Sequence, residues 1–306
     1  MLEIGQGRRL VAMLAAVATS SAPLFVGMSH LFLTEAFQLL GTALFIYLLS
    51  RADKLPPALI LSQLLLATLY TLVAKASAPA YTVILGLAVL STAIRTGWRQ
   101  RAWGWGDRRV LLNCLAASVL TPLVLLWYHR NLDSVLTPFL KFRAGNASGP
   151  WGKSDTVLGA LQYWLDTACT SFFRLPVLFL YLVRVICGVS WSRKETSGRN
   201  ARDENALVRR FTTVCAVQIV VALLFLSWNT VRLDRLLLPL WPCFAVLVAV
   251  SALATSKPIL AKSMFALFAV QFAVVFGSVF GVPSLEPHAS WYVDVLVRET
   301  TQVRAI

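Results

Sequence analysis

A series of uninterrupted apolar stretches most constrains how this chain can fold. We predict about nine membrane spans, each of the roughly 17 to 25 residues that a helix needs to cross a bilayer. They lie near residues 10–28, 33–50, 57–74, 77–94, 110–127, 171–190, 211–228, 236–255 and 262–281. Because only Lys75 to Pro79 separate the third and fourth, those two also fit one tight helical hairpin with shorter legs. The predicted fold is all-α, a polytopic transmembrane helical bundle.

The overall composition agrees with a membrane protein and excludes an ordinary soluble one. Hydrophobic residues make up 58% of the 306 residues, charged residues only 14%, and the mean hydropathy is +0.69. A soluble globular chain does not show that balance. The net charge of +14 would favour nucleic acid in a soluble protein, but here the basic residues lie in short loops between apolar stretches. This arrangement indicates membrane topology, and no nucleic-acid partner is predicted.

The distribution of lysine and arginine sets the predicted orientation. With the N-terminus inside, the inner segments contain 17 of the 28 basic residues, so the positive-inside rule favours N-in and C-out. Residues 1–306 are predicted to form a single membrane domain, with a basic cytoplasmic loop at 191–210 and an external C-terminal tail at 282–306. The basic inner loops are interpreted as topology determinants that meet anionic lipid.

One long stretch between predicted spans, residues 128–170, is external in this topology. Its second part, TVLGALQYWLDTACTSFF, is apolar apart from Gln162, Asp166 and small hydroxyls, and predicts an interfacial helix lying along the membrane. Such a helix could wall a groove for a lipid head group; the alternative is a simple connecting loop packed on the bundle. Asn146 begins a glycosylation sequon, which matters only in a eukaryotic source.

Motifs for cofactors and metals are absent from the sequence. Four of the five cysteines lie in predicted spans and the three histidines are scattered, so neither a disulfide framework nor a metal site is predicted. No GxxxxGK[ST] occurs, and no GxSxG or GxGxxG in a suitable context. The sequence requires no cofactor, and a divalent cation is left open. The lack of an internal repeat counts against a secondary transporter.

Ionisable residues gather at one end of the apolar stretches. Glu35, Lys75 and a cluster of Arg232, Asp234 and Arg235 fall at the end predicted to be external. Charged groups inside or beside a bilayer are costly, so such a set predicts a functional site at one membrane face. Each also has a structural explanation, as a carboxylate at a helix start, a snorkelling lysine, and a turn anchored by ion pairs.

The segment from Pro23 to Tyr81 has a distinctive order of features. It contains a proline-containing span, an outer turn ending in an acidic residue, a long helix with a basic inner end, and a helix that closes on a lysine. The residues concerned are Pro23, Glu35, Arg51 and Lys75. This order resembles GT-C glycosyltransferases of the protein O-mannosyltransferase and aminoarabinose transferase type, glycosyltransferase family 39 and its bacterial relatives.

A second segment, VRLDRLLLPLWPCFAVLVA, is similar to the outer-face Asp-Arg-Tyr-Leu-Leu-Pro-x-x-Pro segment of the same family. Asp234, Arg235, Pro239 and Pro242 match, and Leu236 replaces the usual tyrosine. The resemblance extends over residues 8–255, and it is carried by the order and common sidedness of motifs that are each degenerate.

The chain departs from the family at its start. Family members begin with a span followed by a large outer loop, whose acidic residue serves as the catalytic base. No acidic residue follows the first predicted span here except Glu35, which aligns better with the family's second outer loop. The expectation is either a shortened form of the enzyme or a homologue without ordinary catalysis.

The resemblance implies inverting transfer of a sugar, mannose-like or another hexose or pentose, from a polyprenyl-phosphate-linked donor. The acceptor would be a protein, lipid or glycan on the external or lumenal face. Such transfer needs cations for the phosphate leaving group and a carboxylate near the acceptor hydroxyl. The implied site comprises one catalytic carboxylate, three phosphate-binding cations and two supporting side chains: Glu35; Lys75, Arg232 and Arg235; Asp234 and His30.

The alternative function is a non-catalytic membrane protein that keeps a lipid-phosphate-binding groove and acts as a binding or assembly partner. The predicted location is the plasma membrane if the source is bacterial, and the endoplasmic reticulum membrane if it is eukaryotic.

Overall fold

The structure is a computed structural model, and it describes residues 34–143, 157–172, 199–228, 234–253, 266–271 and 273. Helix is the only regular secondary structure within these ranges, which contain no strand. The α-helices are α1 Thr34–Arg51, α2 Pro57–Ala74, α3 Ala78–Gln100, α4 Arg108–Arg143, α5 Val157–Phe172, α6 Arg199–Trp228 and α7 Trp241–Leu253. A 3-10 helix, Asp234–Leu240, leads directly into α7.

Four of the described helices are long and apolar enough to cross a membrane. They are Pro57–Ala74, Ala78–Gln100, Arg108–Asp133 and Arg209–Trp228. The protein is therefore all-helical in its described parts, with the apolar helices of a membrane protein. These four correspond to the predicted third, fourth, fifth and seventh spans.

The other predicted spans have different outcomes. The second is a helix, α1, but Glu35, Gln38 and Arg51 near its ends make it less apolar than the four candidate spans. The eighth begins as a 3-10 helix, and within the described residues its apolar helix, Leu236–Val248, is shorter than a full span. The stretches at 10–28, 171–190 and 262–281 lie wholly or largely outside the described residues. The total of nine spans and the N-in, C-out orientation stay predictions.

The connection between α2 and α3 decides between the two arrangements predicted for this region. Only residues 75–77 separate the helices, yet both legs are full length, with 18 residues in α2 and 23 in α3. Prolines near both starts suit this geometry, since a proline in the first helical turn removes an N–H that has no intrahelical partner. The two stretches are separate long helices, and the hairpin with shorter legs is not what forms.

Two compact units divide the chain by their internal contacts. The first contains residues 1–32, 165–213 and 244–306, and the second, here called the central unit, contains 33–164 and 214–243. The prediction of a single membrane domain stays a prediction. Within the central unit α1, α2 and α3 pack on one another, α2 also packs on α4, and the 3-10 helix packs on α1.

The helix α4 extends well beyond the fifth predicted span. It continues to Arg143 as two helical segments that meet at a kink, where Asn131 is non-helical (φ −114°, ψ 16°). Residues 128–143, predicted as the start of the external loop, are therefore helical; apolar residues from Leu132 onward recur every three or four positions, which favours helix. The predicted interfacial helix forms as α5, Val157–Phe172. Its position along the membrane stays a prediction.

The turn before α4 is held by an N-terminal cap. The Asp107 carboxylate accepts the backbone N–H of Arg109 at 2.8 Å and its guanidinium at distances down to 2.6 Å. Such a cap satisfies one of the N–H groups that a helix start leaves without a partner. The hydrogen bonds from Arg109 lower the pKa of Asp107 below its usual range.

We expect the contribution of Asp107 to stability to depend on pH in the acid range. Because its folded-state pKa is lowered, that contribution is complete above the ordinary aspartate pKa of about 3.9 and is lost as pH falls through the lower, folded value. Asp107→Asn keeps a capping oxygen but removes the charge. The stability of this variant should therefore fall less on acidification than that of wild type. Thermal midpoints in detergent from pH 7 to pH 2.5 would check this, and identical acid profiles for the two proteins would contradict it.

Close approach of α1 and α2 depends on a glycine. A Cβ atom at Gly41 would overlap the Cγ2 methyl of Thr71. Thr71 is buried and its hydroxyl donates to Thr68 O at 2.9 Å, which fixes its rotamer and keeps the methyl in place. Small residues allow helices in a membrane to approach in this way.

Gly41→Ala should lower the free energy of unfolding by about 1–3 kcal/mol, the usual cost of overpacking a tight site. Gly106→Ala is the matched control, because a Cβ there meets nothing within 4 Å and should change stability by less than about 0.5 kcal/mol. Unfolding in mixed detergent micelles measures both. The double variant Gly41→Ala with Thr71→Ser, which removes the opposing methyl, should recover most of the loss; no recovery would show that the contact is not the cause.

Candidate functional site

An ion pair joins the start of α1 to the end of α2. Lys75 Nζ donates to Glu35 Oε1 at 2.7 Å. The Glu35 side chain is only 2% exposed, whereas that of Lys75 is 34% exposed. Two residues that lie 40 positions apart in sequence therefore form one site, with the glutamate side chain buried and the lysine side chain partly exposed.

The helix ends determine where these two charges lie. Glu35 is in the first turn of α1, where the helix dipole favours a negative charge. Lys75 directly follows α2, where the dipole favours a positive charge, and its backbone is extended (φ −169°, ψ 143°). Its N–H donates to Thr71 O at 3.1 Å, and its carbonyl accepts the N–H of Ala78 at 3.0 Å. The short connection thus fixes the backbone from which the lysine extends.

Further polar side chains lie beside this pair. Gln38, one turn after Glu35 and 2% exposed, donates through Nε2 to Ser77 Oγ at 3.1 Å. Its Oε1 atom is buried without a hydrogen-bond partner in the described part of the chain. Tyr81, one turn into α3, is 1% exposed, and its hydroxyl group interacts electrostatically with Glu35. We call these five residues, Glu35, Gln38, Lys75, Ser77 and Tyr81, the polar end of the central unit.

The predicted residues of the third charge position are described only in part. Asp234 and Arg235 begin the 3-10 helix that packs on α1, the helix carrying Glu35. Buried Leu237 and Leu240 hold this short helix in the central unit. The side chains of Asp234 and Arg235, like the whole of Arg232, lie outside the described part of the structure.

Of the predicted site, the structure brings Glu35 and Lys75 into direct contact and places the backbone of Asp234 and Arg235 on a neighbouring element. His30 lies outside the described residues. Whether these groups act together on a substrate stays a prediction.

The sequence interpretation did not single out Gln38, Ser77 or Tyr81. A signal for Gln38 was present, since it follows Glu35 by three residues and so shares a helix face with it. Ser77 and Tyr81 carried no comparable signal, because hydroxyl groups are common at the ends of membrane helices.

A buried glutamine on α6 was also missed. Gln218 is fully buried, and its Nε2 donates to Ala80 O at 2.8 Å. Its Oε1 accepts the backbone N–H of Ile84 at 2.9 Å and that of Leu85 at 3.4 Å. Ala80 O and Ile84 N are an acceptor and donor that pair with each other in a regular α-helix. One side-chain amide on α6 therefore binds both members of a backbone donor and acceptor pair of α3 and joins the two helices. The signal was a single amide inside an apolar span.

The polar end offers hydrogen-bond donors to an anionic group. An ammonium group has three N–H donors. Lys75 directs one to Glu35, and its side chain is 34% exposed. Glu35 itself is too deeply buried to meet a large substrate without movement of the helices. In this geometry it positions and neutralises Lys75.

The described residues contain no candidate metal site, because no three His, Cys, Asp or Glu side chains come together there. The question of a divalent cation is thus untested.

No protein-family model matches this chain, and no match was found among curated proteins or solved structures.

Proposed function

We propose that this protein binds a polyprenyl-phosphate-linked sugar at the polar end of the central unit and transfers the sugar to a protein, lipid or glycan acceptor. The observation that carries the proposal is a partly exposed lysine held at a helix end by a buried carboxylate, between apolar helices long enough to cross a membrane. A polyprenyl-phosphate sugar has matching chemistry, since it joins a long apolar chain to an anionic phosphate.

In this proposal Lys75 binds the donor phosphate. A lysine ammonium binds phosphate as a compact point charge, and hydrogen bonds between charged groups are about twice as strong as neutral ones. Positive charge at this position would also stabilise the phosphate as it leaves the sugar. Arg232 and Arg235 are proposed to complete the cationic site, with Asp234 and His30 in support.

Glu35 is the proposed carboxylate of the site. Its 2.7 Å contact with Lys75 supports a first role in positioning the lysine. A role as acid or base toward the acceptor requires the ion pair to open, which the approach of the donor phosphate to Lys75 would favour by competing for the same ammonium group.

We also propose about nine spans with the N-terminus inside, and the polar end on the external or lumenal side. The membrane would be the plasma membrane in a bacterium and the endoplasmic reticulum membrane in a eukaryote.

Cysteine labelling should locate the two ends of α2 on opposite sides of the membrane. Ala76 and Lys54 are both exposed and flank the two ends of this helix. In a background with the native cysteines replaced, Ala76→Cys should react with an impermeant reagent added outside intact cells or sealed lumenal-side-out vesicles. Lys54→Cys should react only after permeabilisation. The reverse pattern would contradict the proposed orientation.

The direct test of function uses the full chain in liposomes with a panel of radiolabelled polyprenyl-phosphate sugars. Membranes from the source organism supply acceptors. Transfer of label from at least one donor to an acceptor would support the proposal. Lys75→Ala should reduce transfer per folded protein by about 10- to 100-fold, the usual effect of losing one charge-assisted contact. Lys75→Arg should retain part of the activity, and Lys54→Ala, an exposed lysine at the far end of α2, should retain all of it.

A second function is favoured by the burial of Glu35. With its carboxylate in an ion pair and nearly inaccessible, the polar end has the groups for holding a phosphate but presents no free base. The corresponding proposal is a non-catalytic protein that binds lipid phosphate and acts as an assembly partner. Saturable, Lys75-dependent binding of the donor without any transfer would select this function, and absence of both binding and transfer would reject the two together.

A further inference from the structure

The connection between α3 and α4 is a fixed structure at the opposite end of these helices from the polar end. Arg101 (φ 50°) and Gly104 (φ 73°) turn the chain, and Trp103 O accepts the N–H of Ala58 at 2.9 Å. A Cβ at Gly104 would come within 2.6 Å of Pro56 Cβ, so this close contact requires glycine. The connection therefore has a defined shape, packed on the start of α2.

Two tryptophans project from this fixed structure. Trp98 is 73% exposed and Trp105 is 62% exposed. Trp105 stacks on Trp103, with ring centroids 6.5 Å apart and an interplanar angle of 17°. An exposed indole at the end of apolar helices is the arrangement found where a membrane meets water, since its ring is apolar and its N–H needs a polar partner.

Several exposed arginines lie within a few residues of the two tryptophans in the sequence. Arg95, Arg99, Arg101 and Arg108 are exposed and have no ion-pair partner among the described residues. Arg109 differs, because Asp107 neutralises it at 2.6 Å. Within the described residues, the same end of the helices thus has four exposed arginines without an ion-pair partner, in addition to exposed Lys54 before α2. We call these four arginines, with Trp98 and Trp105, the basic face.

We propose that the basic face is a preformed docking surface for the head groups of anionic phospholipids. The occupant follows from chemistry. Guanidinium groups bind phosphate oxygens bidentately, and uncompensated positive charge selects a net negative head group over a zwitterionic one. The exposed indoles lie at the ends of apolar helices, where the acyl chains of that lipid begin. The proposal is independent of any transferase activity.

The fixed backbone adds to this attraction. Basic side chains on a flexible loop lose conformational entropy when they bind head groups, whereas α3, the turn and α4 hold the backbone of the basic face in place beforehand. The surface should therefore prefer anionic lipid in the protein as it stands, without a disorder-to-order change.

Lipid selectivity tests the proposal in the full chain. The protein is reconstituted in phosphatidylcholine bilayers, and electron paramagnetic resonance measures its association with spin-labelled phosphatidylglycerol relative to spin-labelled phosphatidylcholine. We expect a preference for phosphatidylglycerol that weakens as salt rises from 0.05 to 0.5 M, because salt screens exposed charges. Changing all four uncompensated arginines to glutamine should reduce the preference by about fivefold or more, the effect of at least one basic side chain near an anionic surface.

Two control variants make the outcome decisive. The fourfold arginine-to-lysine variant keeps the charges and should keep most of the preference. The double variant Asp107→Asn with Arg109→Gln removes a neutralised pair without changing the net charge and should change the preference little. An unchanged preference in the fourfold glutamine variant, or an equal loss in the double variant, would overturn the proposal. If the glutamine variant does not fold, single changes at Arg95 and Arg99 on α3 give the same comparison.

Discussion

Lys75→Ala is expected to lower the free energy of unfolding by about 3–5 kcal/mol, as when one partner of a buried ion pair is removed. The reason is the asymmetry of burial, because the variant leaves Glu35, 2% exposed, without the cation at 2.7 Å. A carboxyl group of ordinary acidity can escape this penalty by taking up a proton, which at pH 7 costs about 4 kcal/mol. The loss of stability in Lys75→Ala should therefore become smaller as pH is lowered toward 5.

The measurement is equilibrium unfolding of wild type and variant in mixed detergent micelles at several pH values. Lys54→Ala, which removes an exposed lysine, is the control and should change stability by less than about 0.5 kcal/mol. The double variant Glu35→Gln with Lys75→Met removes the buried negative charge together with its cation and should recover much of the loss in stability. Additive losses in the double variant would mean that the ion pair is not the interaction being measured.

Gln218→Glu should lower the free energy of unfolding at neutral pH by about as much as Lys75→Ala does, because it too places an uncompensated negative charge in a buried site. The carboxylate would place a negative charge in a fully buried site, facing the carbonyl oxygen that now accepts from Nε2. A protonated carboxyl group has the same shape as the amide, with one O–H to donate to Ala80 and one oxygen to accept from Ile84. The variant should therefore lose about 3–4 kcal/mol at pH 7 and approach wild-type stability as pH falls toward 4.

Gln218→Leu separates the hydrogen bonds from the charge in that experiment. It keeps the volume but removes all polar contacts, and should cost about 1–3 kcal/mol at every pH, since Ala80 O and Ile84 N can pair within α3 when the amide is absent. Thermal midpoints and denaturant unfolding over pH 4 to 8 would distinguish the two variants. A pH-independent loss in Gln218→Glu would show that its side chain has escaped to water and that the bridge between α3 and α6 is not rigid.

The apolar pattern was enough to locate most of the described helices. The third predicted span, 57–74, coincides with α2, because Pro57 marks its start and Lys75 its end. The predictions for α3 and α4 ended too early, and the prediction for α6 began too late. Residues 199–210, predicted as part of the basic loop at 191–210, are the first turns of α6. Residues 95–100 and 129–143 were assigned to loops, whereas the first range continues α3 and the second is helical on both sides of the kink at Asn131. Hydropathy detects where a helix is apolar and is insensitive to polar turns that extend it.

The candidate site was predictable in one respect. Charged residues at the ends of apolar stretches are visible in any sequence, and their cost beside a bilayer is reason enough to select Glu35 and Lys75. Sequence position alone did not show that the two would bind each other, nor that one would be buried and the other accessible. Gln218 is a similar case, since a polar residue inside a predicted span indicates that it has a hydrogen-bond partner but not which residue that partner is.

The sequence by itself determined that the described chain is helical and rich in apolar helices of membrane-spanning length, because hydrophobic length and helix-end chemistry are local properties. The tertiary structure alone decided which side chains meet. Glu35 reaches Lys75 because α1 and α2 pack closely at Gly41, and Gln218 bridges α3 because α6 lies against it. The physical reason is that hydrogen bonds and ion pairs act over about 3 Å, a distance set by packing between residues 40 or more than 130 positions apart.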